Sequence, residues 1–132
     1  MKKILFIIII FPILLSSCKR SNRPIKRMPI AEIAFNDTLH HFGDISLDTP
    51  IDSFDFVFKN TGKEKLVILG VQTSCRCTYA VYPHHPINPG EQSYIRVTYD
   101  GRGRSAEYFR KSIKVITNAS KDIILQIEGN LK

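Results

Sequence analysis

The chain has 132 residues, 43% hydrophobic and 23% charged, with a formal net charge of +7 and no tryptophan. That length supports one hydrophobic core besides any targeting segment and excludes a body of two domains. The charge invites a nucleic-acid reading, but all seven excess positive charges precede Ala31, with no acid among them, and the remainder is balanced. A folded nucleic-acid binder carries its excess on the folded face, so nucleic acid is excluded as a partner.

Residues 1–17 have the layout of a secretory signal peptide. Lys2 and Lys3 precede the apolar stretch Ile4 to Leu15, and small residues precede Cys18. The stretch falls short of the roughly 20 residues a spanning helix needs, and Pro12 interrupts it. Leu15-Ser16-Ser17-Cys18 resembles a bacterial lipobox. The resemblance implies cleavage before Cys18 and attachment of lipid, palmitate included, to that cysteine; a membrane span is the alternative. Residues 18–30 form a basic tether holding Lys19, Arg20, Arg23, Lys26 and Arg27, with Pro24 and Pro29 disfavouring helix. Fully extended it reaches about 45 Å. The expected partner of this part is the membrane, since each basic residue near an anionic surface contributes about 1 kcal/mol. The expected location is the cell envelope. Lys19, in place of the aspartate associated with inner-membrane retention in some bacteria, favours the periplasmic side of the outer membrane.

From residue 31 to residue 132, strand signals recur at short intervals with turn residues between them. Ile33-Ala34-Phe35 is a short first candidate, and His41 to Ile45 follows with Gly43 suiting a bend. Phe54, Phe56 and Phe58 share one face of a strand that Asn60-Thr61-Gly62 ends as a turn. Leu66 to Val71 is a compact apolar run, and Asn88-Pro89-Gly90 is a further turn. Ile95, Val97 and Tyr99 share a face, Gly101 to Arg104 is a flexible connection, and Ile113, Val115 and Thr117 define the next strand. Ile123, Leu125 and Ile127 define the last, closed by Gly129. This pattern predicts an all-β, immunoglobulin-like antiparallel β-sandwich of about seven strands; a small barrel is the alternative.

Four segments taken together are more specific. His41-Phe42-Gly43-Asp44-Ile45, Phe58-Lys59-Asn60-Thr61-Gly62, Thr73-Ser74-Cys75-Arg76-Cys77-Thr78 and Pro86-Ile87-Asn88-Pro89-Gly90-Glu91 resemble, in order and spacing, the family called domain of unknown function 1573. The resemblance covers nearly all of Phe35 to Leu131. It implies an Ig-like sandwich akin to Hydin-type and sperm-protein-type modules, often on secreted or lipid-anchored bacterial proteins, with no established activity. One departure is Arg76, which stands where the family usually has glycine; a tight backbone conformation there would disfavour arginine.

With Cys18 assigned to lipid, Cys75 and Cys77 remain as a pair. In an extended segment their Cα atoms lie about 6–7 Å apart, at the edge of disulfide range. Three readings stand side by side. The pair is a local structural disulfide or two packed thiols, a labile redox pair with Arg76 favouring the thiolate, or a soft metal site for copper or zinc with His84 and His85 adding nitrogen ligands. No arrangement for nucleophilic catalysis and no glycine-rich phosphate loop is recognisable. Asn118-Ala119-Ser120 fits a turn. Tyr79, Tyr82 and Tyr94 read as sandwich-filling residues with hydroxyls at the edge, or as a rim for a partner. The functional expectation is a non-enzymatic binding or scaffolding domain for an envelope protein or glycan. Thiol redox or copper handling through Cys75-Arg76-Cys77 is the competing class.

Overall fold

The computed structural model describes residues 30–132. The expected signal peptide, the expected lipid site Cys18 and the expected tether up to Pro29 lie outside the described residues. Eight strands follow one another: β1 (Ile33–Phe35), β2 (Leu39–Ile45), β3 (Ile51–Asn60), β4 (Ile68–Thr73), β5 (Thr78–Val81), β6 (Gln92–Asp100), β7 (Glu107–Thr117) and β8 (Ile123–Leu131). They form two four-stranded sheets, ordered β1-β3-β6-β5 and β2-β8-β7-β4. The sandwich is therefore the expected one, with two differences. The additional strand is β5, whose four residues are too few for alternation to show in the sequence. The second sheet is mixed, because β2 runs parallel to β8. Parallel neighbours need a long connection, and here everything between the two strands supplies it.

Alternation places the core. Phe56, Phe58, Ile95, Val97 and Tyr99 turn inward from the first sheet and are fully buried. Ile113, Val115, Leu125 and Ile127 meet them from the second, each such burial contributing roughly 1.5–3 kcal/mol. The Tyr99 ring on β6 stacks on the Phe109 ring on β7, 3.7 Å between centroids and 4° from parallel, which ties one sheet to the other. Gly129 does not close β8, which continues to Leu131; a Cβ there would meet the Phe109 ring at 3.0 Å, so the glycine makes room for the stack.

The Tyr99 hydroxyl is buried and makes no hydrogen bond among the described residues, and burial pushes its pKa up. An unmade buried bond is unfavourable by about 1–3 kcal/mol. Tyr99→Phe is accordingly expected to raise the unfolding free energy by about 1 kcal/mol in urea denaturation. A fall of that size would show that the hydroxyl has a partner.

Asn60 closes β3 and is fully buried. Its side-chain amide donates to the carbonyls of Glu64 (2.8 Å) and Ile87 (3.0 Å), and its Oδ1 accepts from the Gly62 amide (2.9 Å). Its backbone donates to Glu91 O and accepts from Gly90 N. One side chain thus joins the 60–64 turn to the 87–91 turn. Gly62 lies so close to the chain entering β1 that a Cβ would overlap Glu32 N and Ile30 O.

Candidate functional site

At one end of the sandwich the chain leaves β4 in the second sheet and enters β5 in the first. Ser74 to Cys77 make this corner. Ser74 N donates to Ser112 O (3.0 Å), Thr78 N to Cys75 O (3.2 Å) and Asp100 N to Cys77 O (2.8 Å). The corner is a turn and not an extended segment, so the Cα atoms of Cys75 and Cys77 lie 5.2 Å apart and the two cysteines are joined as a disulfide. That separation sits within the ordinary range for disulfides. Arg76 is exposed, and no residue other than glycine has positive φ among the described residues. The corner therefore takes arginine without backbone strain.

The β6–β7 connection reaches the same place. Arg104 N donates to Gly101 O (3.1 Å), and Gly103 within that turn has φ 72°. Only glycine adopts such a conformation readily, so Gly103 makes the tight turn that presents Arg104. The Arg104 guanidinium bridges two partners: Nη1 donates to Glu107 Oε1 at 2.8 Å and Nη2 to Cys75 Sγ at 3.4 Å. Cys77 N also donates to Cys75 Sγ, at 2.9 Å. The two sulfurs thus differ. Cys75 is partly exposed and receives two donors, whereas Cys77 is buried, with only Thr78 Oγ1 near its sulfur at 3.8 Å.

An open cleft of about 730 Å³ lies against this corner, lined by Arg76, Cys77, Asp100, Arg102, Arg104 and Glu107 among others. Arg102 hydrogen-bonds the Asp100 carboxylate and holds its pKa down to about 2. Arg76 has no ion-pair partner among the described residues. The sequence assigned the charge beside the thiolate to Arg76. The structure gives that contact to Arg104, 29 positions away from Cys75. The available signal was a second arginine in a glycine-punctuated segment, read above as a flexible connection.

His84 and His85 are not brought to this corner. They follow β5, whereas Cys75 and Cys77 precede it. Among the described residues no group of three or more His, Cys, Asp and Glu side chains is placed to hold a metal ion. As a staple the disulfide is weak: a loop of three residues constrains the unfolded chain by roughly 1.6 kcal/mol, against about 3 kcal/mol for one of fifteen.

A second feature lies on the outer face of the first sheet. β5 is the last strand of that sheet and pairs with β6 alone. Tyr79 and Val81 on β5 and Tyr94 on β6 are 51%, 61% and 48% exposed. Tyr79 and Tyr94 thus do not fill the sandwich, because alternation turns them outward, whereas Tyr82 is half-buried and packs against the core. Arg96, also exposed, lies beside them on the same face. Its fork grips Asp55 through two bonds of 2.7 Å, and its guanidinium carbon lies 5.6 Å from the centre of the Tyr94 ring. A groove of about 260 Å³, lined by Val81, Tyr82, Pro83, His85, Ser93 and Tyr94, continues this face.

The family model described as protein of unknown function (DUF1573) matches residues 33–131. The chain belongs to that family. In this DUF1573 domain the His-Phe-Gly-Asp segment is β2, the Asn-Thr-Gly segment is the Asn60 turn, and the Cys-x-Cys segment is the disulfide corner. No curated protein matches the chain. Among solved structures it is similar to a protein of unknown function from Porphyromonas gingivalis W83, with TM-score 0.63 and 19% identity. That match covers 78% of this chain and 47% of that one, so the chain spans about half the length of its structural relative. It is also similar to a PapD-like domain of human CEP192 (TM-score 0.55, 11% identity, 88% and 96% covered). A third match is the Vibrio cholerae VesB protease (TM-score 0.53, 14% identity, 76% and 32% covered). At such identities these likenesses establish the Ig-like, PapD-like fold and nothing of activity.

Proposed function

We propose that this DUF1573 domain is a non-enzymatic binding module of the cell envelope, carried on a lipid-anchored tether, that docks an extended polypeptide segment on the outer face of β5 and β6. The observation that carries this reading is the exposed Tyr79, Val81 and Tyr94 cluster around a fixed Arg96, beside the unpaired edge of β5. Tyrosine and arginine are the residues in which binding energy concentrates. An edge strand offers free backbone donors and acceptors to a segment that adds to the sheet. The Arg96 fork keeps one polar group of the face in place before a partner arrives, which limits the ordering cost of association. Pattern alone supports the anchor: Leu15-Ser16-Ser17-Cys18 implies lipid on Cys18, and the basic tether keeps the module close to the membrane. A glycan would use the same tyrosines by stacking, but it would leave the β5 edge unused.

The test is a full-length variant carrying Tyr79→Ala and Tyr94→Ala, purified from membranes and compared by quantitative mass spectrometry. Truncation of hot-spot tyrosines is expected to reduce one dominant co-purifying envelope protein by roughly 30-fold, at unchanged melting temperature. A protein set identical to that of the unaltered chain would sink the reading.

A further inference from the structure

The disulfide corner has no role in that docking face, and it carries an inference of its own. We propose that Cys75–Cys77 is an exchange-active disulfide, opened by a carboxylate-bearing thiol that enters the arginine-lined cleft, attacks Cys77 Sγ and expels Cys75 as a thiolate held by Arg104.

The direction follows from the asymmetry of the two sulfurs. Exchange is faster when the leaving sulfur is the better-stabilised thiolate, and it also depends on which sulfur the attacker reaches. Cys75 Sγ receives the Arg104 Nη2 donor at 3.4 Å and the Cys77 amide at 2.9 Å. A cation and an amide donor both favour the ionised form of a thiol. Cys77 Sγ has only the Thr78 hydroxyl at 3.8 Å, yet Cys77 lines the cleft. Cys75 is the more exposed of the two, but the cleft reaches Cys77 and not Cys75, and the stabilisation of a leaving thiolate is at Cys75. The cleft sets the class of reagent. Arg76, Arg102 and Arg104 face Asp100 and Glu107, which leaves one positive charge in excess, with Arg76 free of any ion pair among the described residues. An anionic thiol is drawn to such a site and a cationic one is repelled. Because the disulfide spans only three residues and lies in a corner also held by three backbone bonds, opening it leaves the sandwich standing.

The bookkeeping of atoms is complete with thiol as the only co-reactant. The incoming thiolate forms a bond to Cys77 Sγ as the Sγ–Sγ bond breaks, and that electron pair leaves on Cys75 Sγ. A second thiolate attacks the incoming sulfur of the mixed disulfide, forms a small-molecule disulfide and releases Cys77 as thiolate. Two thiols are oxidised to one disulfide. The protein pair takes two electrons and, from solvent, the protons that the two thiols gave up. The reverse sequence oxidises the pair.

The test uses the full chain with Cys18→Ser, so that only two sulfurs report. Opening by glutathione, which bears two carboxylates, and by cysteamine, which is cationic, is followed at neutral pH by acid quench, alkylation and mass spectrometry. Each rate is divided by that for a short peptide holding the same Cys-Arg-Cys. The expected results are a relative rate above one for glutathione, a lower one for cysteamine, and mixed disulfide on Cys77. Arg104→Gln slows glutathione about tenfold by removing the charge beside the leaving sulfur, and Arg104→Lys recovers part of that loss. In the reduced chain with Cys77→Ser, ultraviolet thiolate absorbance is expected to titrate below the free-cysteine value of about 8.5 and to return toward it in Arg104→Gln. Mixed disulfide on Cys75, an unchanged rate in Arg104→Gln, or a relative rate for glutathione that is one or less or no higher than that for cysteamine overturns the proposal. Loss of the docking partner in the Tyr79 and Tyr94 variant has no bearing on any of these outcomes.

Discussion

Asn60→Ala is expected to lower the unfolding free energy by roughly 3 kcal/mol, the largest effect of any polar substitution in the domain. The side chain makes three bonds, and each ends on a backbone group of a turn: Glu64 O, Ile87 O and Gly62 N. Alanine removes all three at once, and the Asn60 site is fully buried, so water does not simply replace them. Leaving buried groups unsatisfied is unfavourable by about 1–3 kcal/mol each, with part recovered as the turns relax toward solvent. For a domain of this size the melting temperature is expected to fall by roughly 12–20 °C, read by far-ultraviolet circular dichroism. Asn60→Asp tests the same account from the other side. It keeps the acceptor for Gly62 N but turns the two donors into acceptors facing carbonyls, so it is expected to be no better than alanine. A fall below 1 kcal/mol in both variants would mean that the two turns hold without this residue.

Phe109→Ala is expected to lower stability by about 4 kcal/mol. Phe109 is 2% exposed, stacks on Tyr99 across the sheet interface and covers Gly129. Its loss removes the burial of a large ring and leaves a cavity that two paired sheets close only in part. The geometry of the stack adds about 1 kcal/mol beyond area. Phe109→Leu restores much of the volume but not the stacking, so it is expected to lie between the two, nearer to the unaltered chain. Urea denaturation at equilibrium checks the order. If leucine and alanine are equally destabilising, ring stacking and not volume dominates.

Much of the sandwich was legible because its central strands alternate over long spans. Phe54 to Phe58, Ile95 to Tyr99, Ile113 to Thr117 and Ile123 to Ile127 all carry a period of two, and all are strands with the expected residues inward. What escaped lies where distance in sequence hides proximity in space. β5 has only four residues and is recognised by pairing with β6. The parallel pairing of β2 with β8 joins opposite ends of the domain. Asn60-Thr61-Gly62 read as an ordinary turn, and turn it is, but its asparagine is a buried hub because the 87–91 turn folds onto it. The cysteine pair is visible in the sequence, but its segment turns where an isolated reading gives an extended one. Nothing local links Gly103-Arg104 to Cys75. The tyrosine face was divided between inward and outward readings, since a strand of unknown register allows either.

The central claim is that the outer face of β5 and β6 is where this module meets its partner. Site-specific photo-crosslinking in whole cells tests it most directly, with a benzophenone side chain placed in turn at Tyr79, at Tyr94 and at Ile124, an exposed residue of the opposite sheet. The account predicts one protein adduct of the same mass from positions 79 and 94 and none from 124. An adduct from 124 alone, equal adducts from all three, or none from 79 and 94 would contradict it.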